Sequence, residues 1–316
     1  MELLPPALSP AEGLVLQDGI YLGVSKKVLA QAYLIARKVF FKNQNDLSLH
    51  SPTLGATDII LLFDPEHLTA ANYRKKRLVE LHQEPSEHSN IKAALNEEIY
   101  FVTSILTSPL HRQSKSPTLW YHRLWLLNFA FDHKLCNRPL DERPQNYARQ
   151  MLNPVFKSGE QHPKNYYAWQ FARNMLLPMQ KLPGNGAKTI WETWFDEFLL
   201  TCATTVSDWC CRHPSDTSGW SYLIFLLPKL RTLEHRTMII KEILEFAIHL
   251  HCRQESLWIF IRTVLADETI SHERYPLIMQ LKAYAKKQCA IKYSSEPESD
   301  SYVTQAIRWI DLYKHT

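Results

Sequence analysis

Glycine is scarce in this chain, at 8 residues in 316. Few positions can therefore take the left-handed backbone that tight hairpins demand. With 45% hydrophobic composition, the balance favours helices over strand-and-turn architectures. The 6 cysteines show no paired spacing, which argues against a disulfide framework and reads as reduced thiols in the cytosol or nucleus; a cytoplasmic protein is expected. Neither sign of charge dominates. The formal net charge of +4 is too mild to imply a nucleic-acid partner. No uninterrupted apolar run approaches membrane-spanning length, so no membrane span is expected. The opening Met-Glu-Leu-Leu-Pro-Pro lacks a basic region and a long apolar run, so it is not read as a signal peptide.

A repeat is present. Trp120, Trp169, Trp220 and Trp258 are preceded, four positions earlier, by Ser116, Asn165, Asp216 and Gln254, three of which are strong N-cap types. Seven positions after each tryptophan stands a leucine: Leu127, Leu176, Leu227 and Leu265. Three or four positions after it, arginine alternates with an apolar residue: Arg123/Leu124, Ala172/Arg173, Leu223/Ile224 and Ile261/Arg262. A degenerate earlier copy surrounds Ala71, with Arg74, Lys75 and Leu78 in the matching places. From Ala71 through the four tryptophans the steps are 49, 49, 51 and 38 residues. Each step holds this helix, a partner helix and a variable loop. The fold expected is all-α, a right-handed α/α superhelical solenoid of helical hairpins. It is read as a single domain over 1–316, with amino-terminal helices and loops in 1–65, repeats in 66–266 and capping helices in 267–316.

Along the chain, residues 1–24 read as an irregular lead-in. Residues 25–41 read as an amphipathic helix with Val28, Ala32, Ile35 and Val39 on one face. Further helices are expected at 53–63, 66–82, 90–107, 117–131, 141–153, 165–177, 188–212, 217–227 and 235–252, then around Trp258, at 272–290 and at 301–314. Pro178 is expected to stop the Trp169 helix, and a Pro/Gly loop to fill 178–187.

Several local features have bland readings. Four consecutive basic residues, Arg74 to Arg77, point in all directions on a helix and suit a solvated or scaffold role better than a nucleic-acid patch. Cys210-Cys211-Arg212-His213 lacks the spacing of a zinc site, so no metal is assigned. The acidic, serine-rich stretch 294–301 is read as a loop open to phosphorylation. The tryptophans read as core, and the repeated arginines as residues with buried stems and heads paired to a carboxylate of the adjoining helix. Glu97, Glu98, Asp196 and Glu197 are the candidate partners.

Asn-Tyr-x-x-Trp followed by arginine and Leu-Leu resembles the repeat of protein prenyltransferase α subunits. The best copies are Ser116-Pro-Thr-Leu-Trp-Tyr-His-Arg-Leu-Trp-Leu-Leu127 and His162-Pro-Lys-Asn-Tyr-Tyr-Ala-Trp169, and the similarity covers roughly 66–266. The resemblance implies a crescent of hairpins around a separate β subunit. That subunit carries the catalytic zinc, with or without magnesium, and most of the isoprenoid pocket; this chain binds no cofactor. It also implies an isoprenoid diphosphate as donor and, as acceptor, a protein with carboxy-terminal cysteines, which receive farnesyl or geranylgeranyl.

Lys164 matches the family lysine that approaches the diphosphate, with Asn165 and Tyr166 beside it as binding residues. Trp120, Arg123, Trp169, Arg173, Trp220, Trp258 and Arg262 are assigned to the repeat core. Tyr121, Tyr166 and Tyr222, near helix starts, are expected to meet the partner. The function expected is the α-like subunit of a heterodimeric protein prenyltransferase, inactive alone. The alternative is a non-catalytic helical scaffold; a tetratricopeptide-type binder is weaker, because its period is near 34 residues.

Overall fold

The computed structural model describes residues 2–4, 15–19, 21–84, 90–135, 141–179, 188–270, 274–291 and 301–313. Within them the chain is all-α apart from one small sheet. Residues 180–187 of the expected Pro/Gly loop and 294–300 of the acidic stretch lie outside the described residues.

The chain divides into two compact units, Met1–Arg138 with Asn153–Leu182, and Pro139–Leu152 with Pro183–Thr316. The first unit opens with strands β1 (Glu2–Leu4), β2 (Val15–Asp18) and β3 (Tyr21–Ser25). β3 is central, parallel to β1 and antiparallel to β2, with Val15 opposite Val24 and Asp18 opposite Tyr21. This corrects the irregular lead-in. The turn signal was Asp18-Gly19: Gly19 sits at φ +57, where glycine is unstrained. Strands this short, with β2 wholly exposed, leave no alternating pattern to read.

Next come α1 (Lys26–Asn43), α2 (His50–Phe63), α3 (Leu68–Gln83), α4 (Asn90–Leu106), the single turn α5 (His111–Ser114) and α6 (Pro117–Asp132). Ser25 caps α1 by accepting from Val28 N–H at 3.3 Å. The buried face of α1 is Leu29, Ala36 and Phe40, whereas Ile35 is exposed, so the expected face was rotated. The aromatic rings decide the rotation: Tyr33 stacks on Phe63 at 4.4 Å, and Phe40 meets Tyr73 edge-on at 5.5 Å.

Helix α7 (Pro144–Gln161) runs through Pro154, where the sequence pattern suggested a stop. The buried neighbours Leu152 and Val155 hold the helix despite the missing N–H. The division between the units falls beside this proline. Helix α8 (Tyr166–Asn174) ends before Met175, and Pro178 lies inside the next turn, α9 (Leu176–Met179), rather than stopping α8. A proline in a first helical turn forfeits no intrahelical bond, which is why it is tolerated there.

The second unit contains α10 (Lys188–Arg212), α11 (Thr217–Leu226), α12 (Leu233–His249), α13 (Glu255–Ala266), α14 (Arg274–Ile291) and α15 (Tyr302–Tyr313). Here α10 packs on α11 and α12, α11 on α13, and α13 on α15. Stacked Trp191, Trp194 and Phe198 fill one end of α10, and Tyr147 closes on Trp194 and Phe198.

Candidate functional site

Three of the repeated helices begin in one way, whereas Gln254 makes no side-chain cap for the Trp258 helix. Ser116 accepts from Leu119 N–H at 3.1 Å, Asn165 from Ala168 N–H at 3.4 Å, and Asp216 from the N–H groups of Ser218 and Gly219 at 2.9 and 3.0 Å. All three caps are buried, so each satisfies a helix end that water does not reach.

The carbonyl six residues before Trp120, Trp220 and Trp258 accepts the indole N–H and organises the turn. Ser114 C=O accepts the Trp120 indole N–H at 2.8 Å and also the Asn165 side-chain amide at 2.9 Å. Pro214 C=O accepts Trp220 N–H at 3.0 Å and the Ser256 hydroxyl at 2.6 Å. Cys252 C=O accepts Trp258 N–H at 2.9 Å, and Pro65 C=O, in the copy without a tryptophan, accepts the Ser116 hydroxyl at 3.1 Å. Where both lone pairs are used, one holds the copy's own indole and the other hooks the start of the next copy. Two residues after the tryptophan stands a second repeated ring. Phe171 packs on Trp120 at 5.4 Å and Phe260 on Trp220 at 4.7 Å. Tyr73, His122 and Tyr222 occupy the same slot. Spacing alone could have found it, since the slot is aromatic or histidine in all five copies.

The Lys164-Asn165-Tyr166 segment lies on this framework. Asn165 is fully buried, and its amide donates to Ser114 C=O and to Ser158 Oγ at 2.8 Å, while Ser158 Oγ lies 2.7 Å from Ser114 Oγ. Asn165 thus ties the start of α8 to the end of α7 and to the turn before α6. Lys164, immediately before it, is exposed and adopts φ 61. Among the described residues, two other non-glycine residues have positive φ, Lys134 and His251, and both terminate helices. There Leu135 N–H bonds Ala130 C=O at 2.8 Å and Cys252 N–H bonds Ala247 C=O at 3.0 Å, in Schellman fashion. Lys164 instead precedes a helix. Tyr166 is 61% exposed, and Tyr121 at the start of α6 is 57% exposed. Tyr222, expected alongside them, is fully buried and stacks near Phe225, because the ring slot faces inward.

Other cations surround the turn. Lys115 Nζ donates to Pro163 C=O at 3.3 Å, and Arg112 pairs with Asp64 at 2.7 Å. The His162 ring lies 5.1 Å from that of His111, and burial, with the charge of His111, lowers its pKa. Between α6 and α8, Trp120, Tyr121, Leu124, Tyr167, Gln170 and Phe171 line a shallow groove too small for an isoprenoid chain.

The core arginines differ among themselves. Arg74 binds Glu98 through Nε at 2.9 and 3.0 Å, and reaches Asp58 at 2.5 Å and Thr57 at 2.8 Å. Glu98 was among the candidate partners. Burial alone would lower the Arg74 pKa, but the Glu98 and Asp58 contacts raise it. Arg123 departs from the expected carboxylate pairing: it donates to the Thr103 hydroxyl and lies 5.4 Å from the Phe171 ring, and burial pushes its pKa down to about 10. Arg262 lies over the Trp309 ring at 4.4 Å. Arg173 falls in the last turn of α8. Asp196 pairs with Arg231 at 3.4 Å, and Glu197 accepts from Gln145.

Among the described residues, no group of three or more His, Cys, Asp or Glu is arranged to hold a metal. Burial pushes the Cys211 thiol up to about 12 and raises Cys210 well above its usual value. His213 stacks on Trp209 at 4.2 Å, with Nδ1 2.9 Å from the Trp209 carbonyl. The segment closes a helix. No described helix is long and apolar enough to cross a membrane.

The ECM9 middle domain family matches residues 119–247. The human "Protein prenyltransferase alpha subunit repeat-containing protein 1" is 23% identical over 225 residues, covering 67% of this chain and 48% of that protein. Two Xenopus laevis counterparts, 1-B and 1-A, are 24% and 25% identical over 207 residues, covering 62% of this chain and 42% of each relative. The chain thus spans about half the length of the curated relatives it matches. At this identity it is a divergent relative of the protein prenyltransferase α subunit repeat-containing proteins.

Proposed function

We propose that this chain is the α-like subunit of a cytoplasmic, heterodimeric protein prenyltransferase, built as a right-handed solenoid of helical hairpins. One observation carries the reading. An exposed lysine holds left-handed backbone directly before a fully buried N-cap, at a turn with an exposed tyrosine on its other side. Such backbone is unfavourable for a residue with a Cβ, and strain of this kind collects where a side chain must be aimed.

In the reaction, the thiolate sulfur of a carboxy-terminal cysteine in the acceptor protein, its proton released to solvent, bonds the first isoprenoid carbon. The carbon–oxygen bond to the diphosphate breaks, and the electron pair leaves with the diphosphate. Lys164 and the amino-terminal dipole of α8 stabilise that growing negative charge. The partner β subunit supplies zinc and the isoprenoid pocket; the groove between α6 and α8 has no room for the chain.

A non-catalytic scaffold is the second reading. It is favoured by the buried Asn165, whose amide is spent on Ser114 and Ser158 rather than on a ligand. Single-turnover transfer by the complex with a prenyltransferase β subunit separates the two. Lys164→Gly removes the amine while keeping the backbone relaxed, and should slow transfer about 10²-fold with assembly intact. Lys115→Ala should cost less than about threefold, one neutral-acceptor hydrogen bond being lost. Failure to form a complex, or equal rates for wild type and Lys164→Gly, would favour the scaffold.

A further inference from the structure

Helix α1 carries Lys26, Lys27, Arg37, Lys38 and Lys42 and no acidic residue. Its inner face is committed to the fold through Leu29, Ala36 and Phe40. The exposed residues Lys27, Gln31, Leu34, Ile35, Lys38, Phe41 and Lys42 fall on one arc of about 120°, at 100° per residue. Three of them are large and apolar yet open to solvent: Leu34 at 57%, Ile35 at 64% and Phe41 at 45%. Arg37 flanks the arc, with its guanidinium 5.7 Å from the Tyr33 and Phe41 rings.

We propose that this outer face of α1 docks onto an anionic lipid bilayer surface. The charge is complementary, since a helix with five cations and no anion meets negative headgroups without a like-charge conflict. The texture of the face also fits. Apolar side chains alternate with lysines along an 18-residue helix, so Leu34, Ile35 and Phe41 enter the boundary of the acyl region while the lysine stems keep their ammonium groups among the phosphates. A bilayer needs only this mixture of charge and apolar contact, spread along an exposed arc. The proposal is independent of catalysis.

Flotation of the full chain with vesicles tests it, using phosphatidylcholine alone and phosphatidylcholine mixed with phosphatidylserine. The chain should rise with the mixed vesicles, less with the neutral ones, and less again at high salt. Each basic residue near such a surface contributes about fivefold, so the triple variant Lys27→Gln, Lys38→Gln, Lys42→Gln should bind about 10²-fold more weakly. Ile35→Ser alone should also weaken uptake, with the circular dichroism spectrum unchanged. Because every substituted side chain is exposed, the single variant keeps the test decisive if the triple fails to fold. No preference for the anionic vesicles, or uptake undiminished in both variants, would overturn the proposal. Capture of an acidic protein by α1 without vesicle uptake would overturn it too.

Discussion

Arg74 and Arg123 stand three residues after the same repeat position, yet they are buried by opposite means. In the first copy that position is Ala71, which is buried. There the helices are joined by charge: Arg74 spans Glu98 on α4 and Asp58 on α2, with its guanidinium 4.2 Å from the Phe101 ring. In the next copy the position is Trp120. The indole bonds Ser114 C=O and packs on Phe171, and Arg123 is left with a hydroxyl and a ring. A repeat position can thus keep its residue type while the interaction that justified it changes. A buried arginine stabilises only when its charge is answered, so the two copies should respond to mutation with different sign.

The largest effect is expected at Arg74. Arg74→Ala strands Glu98 beside a neutral histidine, and leaving one partner of a buried pair uncompensated costs about 3–5 kcal/mol. Urea denaturation monitored by circular dichroism measures it. A loss below about 1 kcal/mol would mean that water or rearrangement rescues Glu98, and would remove the contrast between the copies.

A second test uses His122, which occupies the repeat slot that Phe171 and Phe260 fill in later copies. Its Nε2 lies 3.2 Å from Glu98 Oε1. Even so, burial first, then the charges of Lys75 and Arg74, lower its pKa to about 3. The sign follows from that direction. The folded protein holds His122 neutral, whereas the unfolded chain protonates it below about pH 6.5. Its contribution is therefore complete above that pH and is lost as the pH falls toward 3. The slope is about 1.4 kcal/mol per pH unit. His122→Phe, which restores the ring found at Phe171 and Phe260, should flatten the loss of stability between pH 7 and pH 5. An unchanged slope would assign the acid sensitivity to other groups.

Much of this was legible in the sequence, because buried helices leave a periodic record. The Trp stripe, the caps Ser116, Asn165 and Asp216, and α10 at 188–212 all stand where spacing put them. Glu98 was legible as a partner because a carboxylate on the adjoining helix answers the charge of a buried arginine, as it does for Arg74 though not for Arg123. The strands at 2–25 were not, since their pairing is set by backbone contacts, antiparallel between β2 and β3 and parallel between β1 and β3. Pro154 misled for a related reason: propensity argued for a stop, and packing around Leu152 and Val155 overrode it. At the candidate site, the exposure of Lys164 and the burial of Asn165 belong to adjacent residues of one motif. Only the hydrogen bonds from Asn165 to Ser114 and Ser158 separate their roles.

The smallest effect, and the most informative in sign, is expected at Arg123. Among the described residues its guanidinium meets no carboxylate, and burial holds its pKa down near 10, so the charged form is disfavoured where it sits. Arg123→Met keeps an unbranched stem against Phe171 and removes the charge. Substituting well-packed apolar groups for buried charge is often neutral or stabilising by about 1–4 kcal/mol. Loss of the hydrogen bond to Thr103 returns about 1 kcal/mol of that. The net expectation for the isolated chain is no change, or a modest gain, in urea midpoint. Arg74→Met in the same assay should lose stability, because its two carboxylates remain. If Arg123→Met were instead as damaging as Arg74→Met, the guanidinium would have an anionic partner in solution. Repeating the melt with phosphate and with a bound β subunit would then identify which of the two restores the missing charge.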